Sequence, residues 1–176
     1  TRFQEVSWAR RCVLETDVNS AWGVPTVWLG LLEEIRKQER VPSQFQNVVI
    51  GGSAAPKSMI EEFESLGITV CHAWGMTEMS PVDTQGFLPG SMKKALSQDE
   101  QISKKCYQGR RVFGVDLKIV DENDNSLPHD GIASGELYVR GNAIISGYYK
   151  NNEATEEAFD KEGWFGTGDI ASITTD

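Results

Sequence analysis

Two stretches decide the fold: Val48-Val49-Ile50-Gly51-Gly52-Ser53-Ala54-Ala55-Pro56 and Ile68-Thr69-Val70-Cys71-His72-Ala73-Trp74-Gly75-Met76-Thr77-Glu78. Val48, Val49 and Ile50 form a short, wholly apolar run, as expected of a strand buried on both faces. Pro56 can open a helix, because the first helical position has no intrahelical partner for its N–H. Ile60, Phe63 and Leu66 space an apolar stripe along that helix, and Gly67 stops it as a left-handed cap residue. Ile68-Thr69-Val70-Cys71 is a second buried strand. Strand, helix and strand in this order predict parallel pairing with a right-handed crossover.

Outward from this unit the alternation continues, so that residues 1–108 read as strands and helices in turn. Val24, Pro25 and Thr26 close a short extended segment. Leu29, Leu32, Ile35 and Lys37, with Glu33, Glu34, Arg36 and Glu39 interleaved, suit an amphipathic helix ended by Pro42 and Ser43. Residues 90–108 are polar and read as an exposed loop-helix excursion. From Gly109 the pattern changes. Val115-Asp116-Leu117-Lys118-Ile119-Val120 alternates as a half-exposed strand does, and a polar turn follows over residues 121–125. Glu136-Leu137-Tyr138-Val139-Arg140 alternates between Gly135 and Gly141, residues 153–159 suit a short helix, and residues 169–173 a final strand. The expected fold class is therefore α/β. Residues 1–108 supply part of a parallel αβα sheet layer, and residues 109–176 a small antiparallel β-rich subdomain, a distorted barrel.

Composition narrows the function classes. The 176 residues suffice for one domain or two small ones. A formal net charge of -9, with Lys and Arg dispersed, argues against a nucleic-acid surface. An acidic chain can still bind ATP, because magnesium and local backbone dipoles handle the phosphates. Cys12, Cys71 and Cys106 are far apart and odd in number, fitting neither a zinc site nor a disulfide framework. Reduced thiols in a cytoplasmic protein are the plain reading, with Cys71 a small core residue. No apolar run is long enough to span a bilayer. No signal peptide is visible, although the chain begins at Thr1 rather than Met.

Ligands in open parallel sheets bind beyond the carboxyl ends of the strands, where residues 51–56 and 72–78 both fall. The Trp74 indole can stack on a purine, and Gly75 lets backbone approach it. The Thr77 hydroxyl can donate to a phosphate oxygen. Glu78 offers the hard oxygen that magnesium takes beside phosphates and water. The same residues also suit an ordinary strand-to-helix turn, with Thr77 as the cap and Glu78 favouring the helix dipole. Gly51, Gly52, Ser53, Ala54, Ala55 and Pro56 supply small residues where a flat ring could lie against main chain, or they form a plain strand-to-helix turn. His72 can hydrogen-bond a purine edge or fill a core position. Asp169 has two acceptor oxygens suited to a vicinal diol such as ribose, or it is an exposed turn aspartate.

In order along the chain, these motifs resemble a known family. Trp74-Gly75-Met76-Thr77-Glu78 resembles the aromatic-Gly-x-Thr-Glu signature of the adenylate-forming (AMP-binding) enzymes, which include acyl-CoA synthetases, luciferases and peptide-synthetase adenylation domains. Gly135-Glu136-Leu137-Tyr138-Val139-Arg140-Gly141 resembles their Gly-Glu-Leu-x-Val-x-Gly strand. Gly147-Tyr148-Tyr149 with Gly163-Trp164-Phe165-Gly166-Thr167-Gly168-Asp169 resembles their Gly-Tyr…Gly-Trp-x-x-Thr-Gly-Asp segment. Val24-Pro25-Thr26 and residues 52–56 also match in order. Val112-Phe113-Gly114-Val115-Asp116-Leu117-Lys118-Ile119-Val120-Asp121 looks closest to fatty acyl-CoA synthetases of the medium-chain and methylthiopropionate type.

The resemblance implies roles at matching positions. Trp74 stands where the family usually has tyrosine and would stack on adenine, with Ser53, Ala54, Ala55 and Pro56 lining the other side. His72 would bond the adenine amino group, and Ala73, Gly75 and Met76 complete that segment. Thr77 would contact the α-phosphate, Glu78 would ligate Mg2+, and Asp169 would hold the ribose hydroxyls, so that the separated loops surround one AMP. Val24, Trp28, Gly51 and Met76 are candidates for an acyl tunnel wall. Gly166 departs from the pattern, which commonly has Arg or another long side chain there. The family's Ser/Thr/Gly-rich phosphate loop and the C-terminal domain with the catalytic lysine match nothing here, so the chain reads as an internal piece of the large N-terminal domain. The implied reaction activates a fatty acid with ATP to an acyl-adenylate and passes the acyl group to coenzyme A, an activity the piece alone is expected to lack. An amino-acid or aryl-acid adenylation domain, a nucleotide-binding module without chemistry, and a structural interaction domain are the alternatives.

Overall fold

The computed structural model describes residues 17–175, so Cys12 lies outside the described residues. Strands β1 (Ser20–Gly23), β2 (Asn47–Ile50) and β3 (Thr69–Trp74) pair in parallel, with Ala21 opposite Val48 and Val48 opposite Val70. The short β4 (Thr84–Gln85) runs antiparallel to β3, and β5 (Arg110–Arg111) ends the sheet order β1-β2-β3-β4-β5. Parallel neighbours need crossover connections, and helices α1 (Pro25–Gln38) and α2 (Lys57–Ser65) supply them. Trp28, Leu31, Leu32 and Ile35 of α1 and Met59, Ile60 and Phe63 of α2 pack on Val48, Ile50 and Val70. Trp28 is fully buried, edge-on to Phe63 with ring centres 6.1 Å apart, and its Nε1–H donates to the Gly23 carbonyl at 3.0 Å. Burial of such a side chain contributes about 3 kcal/mol.

The helix ends differ from expectation in one case and match it in the other. α1 stops at Gln38, before Pro42, because Glu39 takes up left-handed backbone (φ 49) and Arg40 N–H closes on the Ile35 carbonyl at 3.3 Å. α2 ends as its sequence suggests. Gly67 has φ +77, its N–H bonds the Glu64 carbonyl at 3.0 Å, and Ile68 N–H bonds Phe63 at 2.9 Å, the pair of bonds that closes a glycine-terminated helix. Pro56 is the cap of α2 rather than its first residue.

Two further expectations need correction. β3 continues through His72, Ala73 and Trp74, which the sequence placed in a loop, because Ile50 pairs with His72, and Gln85 and Thr84 pair with Ala73 and Trp74. Residues 90–108 are also more than an exposed excursion. They form α3 (Gly90–Ala95) and α4 (Gln98–Lys105), the latter capped reciprocally by Ser97 and Glu100. Ile102 joins the core, and the buried Lys105 ammonium pairs with Glu64. Glu64 Oε1 also accepts Val70 N–H at 2.6 Å, so a single carboxylate ties α2, α4 and β3 together.

The chain divides into two compact units. Among the described residues, one comprises residues 17–75 with Val82–Arg110, and the other Met76–Pro81 with residues 111–175. The second contains an antiparallel sheet of β6 (Val115–Val120), β7 (Gly135–Gly141) and β8 (Phe165–Ala171), with α5 (Asn152–Ala158) before β8. The glycines bounding β7 have a steric reason. A Cβ on Gly135 would come within 2.1 Å of the Val120 carbonyl oxygen, and one on Gly141 within 2.4 Å of the Gly114 oxygen. β8 starts at Phe165 instead of Asp169, since the buried Phe165 ring packs on Phe159 at 5.4 Å. No helix among the described residues is long and apolar enough to cross a membrane.

Candidate functional site

In the first unit the candidate residues sit at the carboxyl ends of β2 and β3. Past Gly51 the chain turns through Ser53, Ala54 and Pro56, which are exposed, and Ala55, which is half-buried. His72 holds this turn. It is wholly buried in β3, its Nε2 accepts Ala55 N–H at 3.2 Å, and its Nδ1 faces the Cys106 carbonyl at 3.2 Å. Burial depresses the imidazole pKa, so the ring is neutral with its proton on Nδ1. Both nitrogens are thus committed to backbone, and the bond to an adenine amino group suggested by the resemblance finds no free ring nitrogen. Ala73 is buried, and Trp74 and Gly75 are half-buried where β3 ends.

Of the tunnel-wall candidates in this unit, Val24 is 44% exposed, Gly51 follows the last residue of β2, and Trp28 is absorbed by the core. One further residue belongs here. Asp83, passed over in the sequence, donates its N–H to the Trp74 carbonyl at 3.1 Å, and its side chain is fully buried.

In the second unit, Met76 leads into a 3-10 turn over Thr77–Met79. No side chain caps that turn, so Thr77 does not have the capping role; it is exposed. Buried Met79 anchors the turn. The Glu78 carbonyl accepts Ile145 N–H at 2.9 Å, and Ser80 Oγ donates to the Ala143 carbonyl at 2.9 Å. The half-buried Glu78 carboxylate accepts a hydrogen bond from the Tyr148 phenol at 3.1 Å. Partial burial and then this carboxylate hold the phenol above its ordinary pKa, so it stays a donor. Tyr148 is itself fixed, its N–H donating to Thr155 Oγ1 at 2.9 Å while Thr155 donates to the Asn151 carbonyl at 2.8 Å. Tyr148 was legible only as part of a Gly-Tyr motif, with no role attached.

Asp169 is exposed and lies in an irregular part of β8. β7 pairs Tyr138 with Gly166 and Glu136 with Ile170, so Leu137 stands against Thr167, Gly168 and Asp169. Such a bulge re-aims side chains. Thr167 pins it by donating to the Leu137 carbonyl at 2.8 Å and accepting Asp169 N–H at 3.1 Å. Gly166 fits its neighbours: a Cβ there would already be 3.2 Å from the Tyr138 ring and 3.3 Å from Glu136 Oε1.

Among the described residues no group of three or more His, Cys, Asp or Glu side chains could hold a metal ion. Magnesium does not need one, because it takes one or two carboxylates and completes its shell with phosphates and water. A half-buried, oriented carboxylate such as Glu78 fits that demand.

The sequence model of the family described as AMP-binding enzyme matches residues 2–149. The chain is 42% identical over 160 residues to 3-methylmercaptopropionyl-CoA ligase of Ruegeria lacuscaerulensis, covering 90% of this chain and 29% of that protein. It is 41% identical over 167 residues to the medium-chain-fatty-acid–CoA ligase of Ectopseudomonas oleovorans, covering 94% and 30%. The chain thus spans under a third of the length of these relatives. Among solved structures, O-succinylbenzoate coenzyme A synthetase of Bacillus subtilis in complex with AMP superposes with a TM-score of 0.72 at 25% identity, over 92% of this chain and 30% of that one. A long-chain-fatty-acid-CoA ligase of Archaeoglobus fulgidus shares the fold with a TM-score of 0.76 at 22% identity, over 94% and 34%.

Proposed function

This chain belongs to the AMP-binding enzyme family, and from that premise we propose that it serves an AMP-forming acid–thiol ligase acting on a fatty-acid-type carboxylate. In the first step a carboxylate oxygen attacks the α-phosphorus of ATP. The new O–P bond gives an acyl-adenylate, and the bond to the β-phosphate breaks to release pyrophosphate. In the second step the thiolate of coenzyme A attacks the acyl carbonyl, and AMP departs. The first step exists because an oxide is a poor leaving group, whereas AMP is a good one. Bound Mg2+ would offset the charge building on the phosphates.

The observation that carries this reading is the Glu78 carboxylate, held on both its main chain and its side chain by Ile145 and Tyr148. We assign it to magnesium, and exposed Thr77 beside it to the α-phosphate. Trp74 and Gly75 take the adenine ring with Ser53, Ala54, Ala55 and Pro56, and Ala73 and Met76 complete that segment. His72 contributes through its bond to Ala55. Asp169, presented by the β8 bulge, takes the ribose hydroxyls. The names of the two relatives support a short- to medium-chain acid, and the free thiols of Cys71 and Cys106 suit a cytoplasmic enzyme.

The test is ATP–pyrophosphate exchange by the full-length protein against a panel of fatty, aryl and amino acids. Exchange driven by fatty acids, with acyl-CoA and AMP formed once coenzyme A is added, is the expected result. Exchange driven only by amino or aryl acids would reassign the substrate. No exchange with any acid would leave a nucleotide-binding module without chemistry.

A further inference from the structure

Asp83 is an anomaly in an otherwise satisfied interior. Among the described residues the other buried polar side chains have partners: His72 with Ala55 and Cys106, Thr84 with the Gln108 carbonyl at 2.8 Å, and Lys105 with Glu64. Asp83 has none, and both of its carboxylate oxygens are buried without a hydrogen-bond partner. Leaving a carboxylate so costs several kcal/mol, and an apolar residue of similar size would avoid the cost. Burial also pushes this carboxyl up to about 6.

Its place in the fold is informative. Thr84 is in register with Trp74, and Asp83 N–H bonds the Trp74 carbonyl at 3.1 Å. The backbone of Asp83 therefore sits where β3 ends, at the end of the parallel strands beyond which ligands of such sheets bind, with its side chain buried. The preceding residue, Val82, packs on the small apolar cluster of Val49, Cys71 and Ala73, separate from the main core. A lone buried acceptor next in sequence to Val82, which packs on a small buried apolar cluster, is the pattern of a specificity group. The apolar part receives a hydrocarbon stem, and the polar atom reads one substituent.

We propose that Asp83 is a specificity-determining residue of the acid-binding region, and that the carboxylic acid activated carries a hydrogen-bond donor, a hydroxyl or an ammonium group, which Asp83 binds. This rests on the acid–thiol ligase reading above and narrows its substrate class. An ionised carboxylate can only accept hydrogen bonds. A plain alkyl chain in its place would leave it buried and unpaired, and sites built around such a bond discriminate strongly against the analogue lacking it.

The experiment compares hexanoate with its ω-hydroxy and ω-amino derivatives, and butyrate with its own, in ATP–pyrophosphate exchange by the full-length protein. Wild type is expected to favour a donor-bearing acid over its alkyl counterpart by at least about tenfold in kcat/KM. Asp83→Leu should reverse that preference. Asp83→Asn should keep a preference for the hydroxy acid and lose one for the amino acid, which tells the two donors apart. Should the Leu variant fail to fold, the wild-type panel and the Asn variant decide the matter. Wild-type exchange that favours the alkyl acids, with ratios unmoved by substitution at Asp83, would overturn the proposal and hand the carboxylate to another part of the polypeptide. Wild-type exchange with no acid at all would instead overturn the ligase reading, and this inference with it.

Discussion

The Tyr148 phenol donates to Oε1 of Glu78 at 3.1 Å, joining residues 70 positions apart in the chain. This bond explains why the Gly-Tyr segment accompanies the Thr-Glu segment: one carries the carboxylate and the other aims it. Thr155, bonded to Tyr148 N–H and to the Asn151 carbonyl, fixes the donor through the start of α5.

Tyr148→Phe keeps the ring and deletes the donor. In the full-length protein the magnesium concentration for half-maximal exchange should rise by about tenfold, as for other groups that orient a ligand. Thermal stability should change by no more than about 1 kcal/mol, and the KM for the acid should not move. An unchanged magnesium dependence would show that Tyr148 only packs.

Glu64 faces two groups that need it, the buried Lys105 ammonium and Val70 N–H. Glu64→Ala should destabilise the protein by about 3 kcal/mol, because it leaves a buried cation without a partner. Adding Lys105→Met to that variant should restore much of the loss. Equal and additive losses in a denaturant double-mutant cycle would contradict the coupling.

The Asp83 carboxyl has an ordinary value of 3.8 and is pushed up to about 6 by burial. A raised carboxyl favours the folded state when protonated. Its contribution is therefore complete below the ordinary value and is lost as pH rises through about 6. Over that window the loss amounts to about 3 kcal/mol. The stability gap between Asp83→Asn and wild type should widen by about that amount from acid to neutral pH. A gap that stays flat in denaturant titrations would mean the carboxyl is paired.

Glu39 ends α1 in the left-handed region with φ 49, a conformation that costs an L-residue and not glycine. Glu39→Gly should stabilise the protein by about 0.5–1 kcal/mol, read as a higher midpoint in thermal melts. A lower midpoint would mean that the Glu39 side chain makes a compensating contact.

Legibility in the sequence followed the physics of each feature. Apolar runs and helix stripes report burial directly, so β2, β3, α2 and the strands bounding the second unit could be read from Val48, Ile60, Phe63 and Gly135. Segment ends depend on partners far along the chain. β3 runs on to Trp74 only because Thr84 and Gln85 pair with it, and β8 starts early because Phe165 is needed in the core. Residues 98–105 look polar because the charge on Lys105 conceals that its ammonium is buried against Glu64. Trp74, Thr77, Glu78 and Asp169 could be proposed as site residues from their type and by resemblance. The commitment of His72 to Ala55 and Cys106, the hand of Tyr148 on Glu78, and the isolation of Asp83 are relations in space that no local pattern carries.

Whether Glu78 is the magnesium ligand of an adenylating enzyme is read from fatty-acid-dependent ATP–pyrophosphate exchange by full-length Glu78→Ala across a magnesium titration. Exchange should fall by about a hundredfold or more at every magnesium concentration, in a protein that still melts cooperatively. Exchange at the wild-type rate with wild-type magnesium dependence would contradict it.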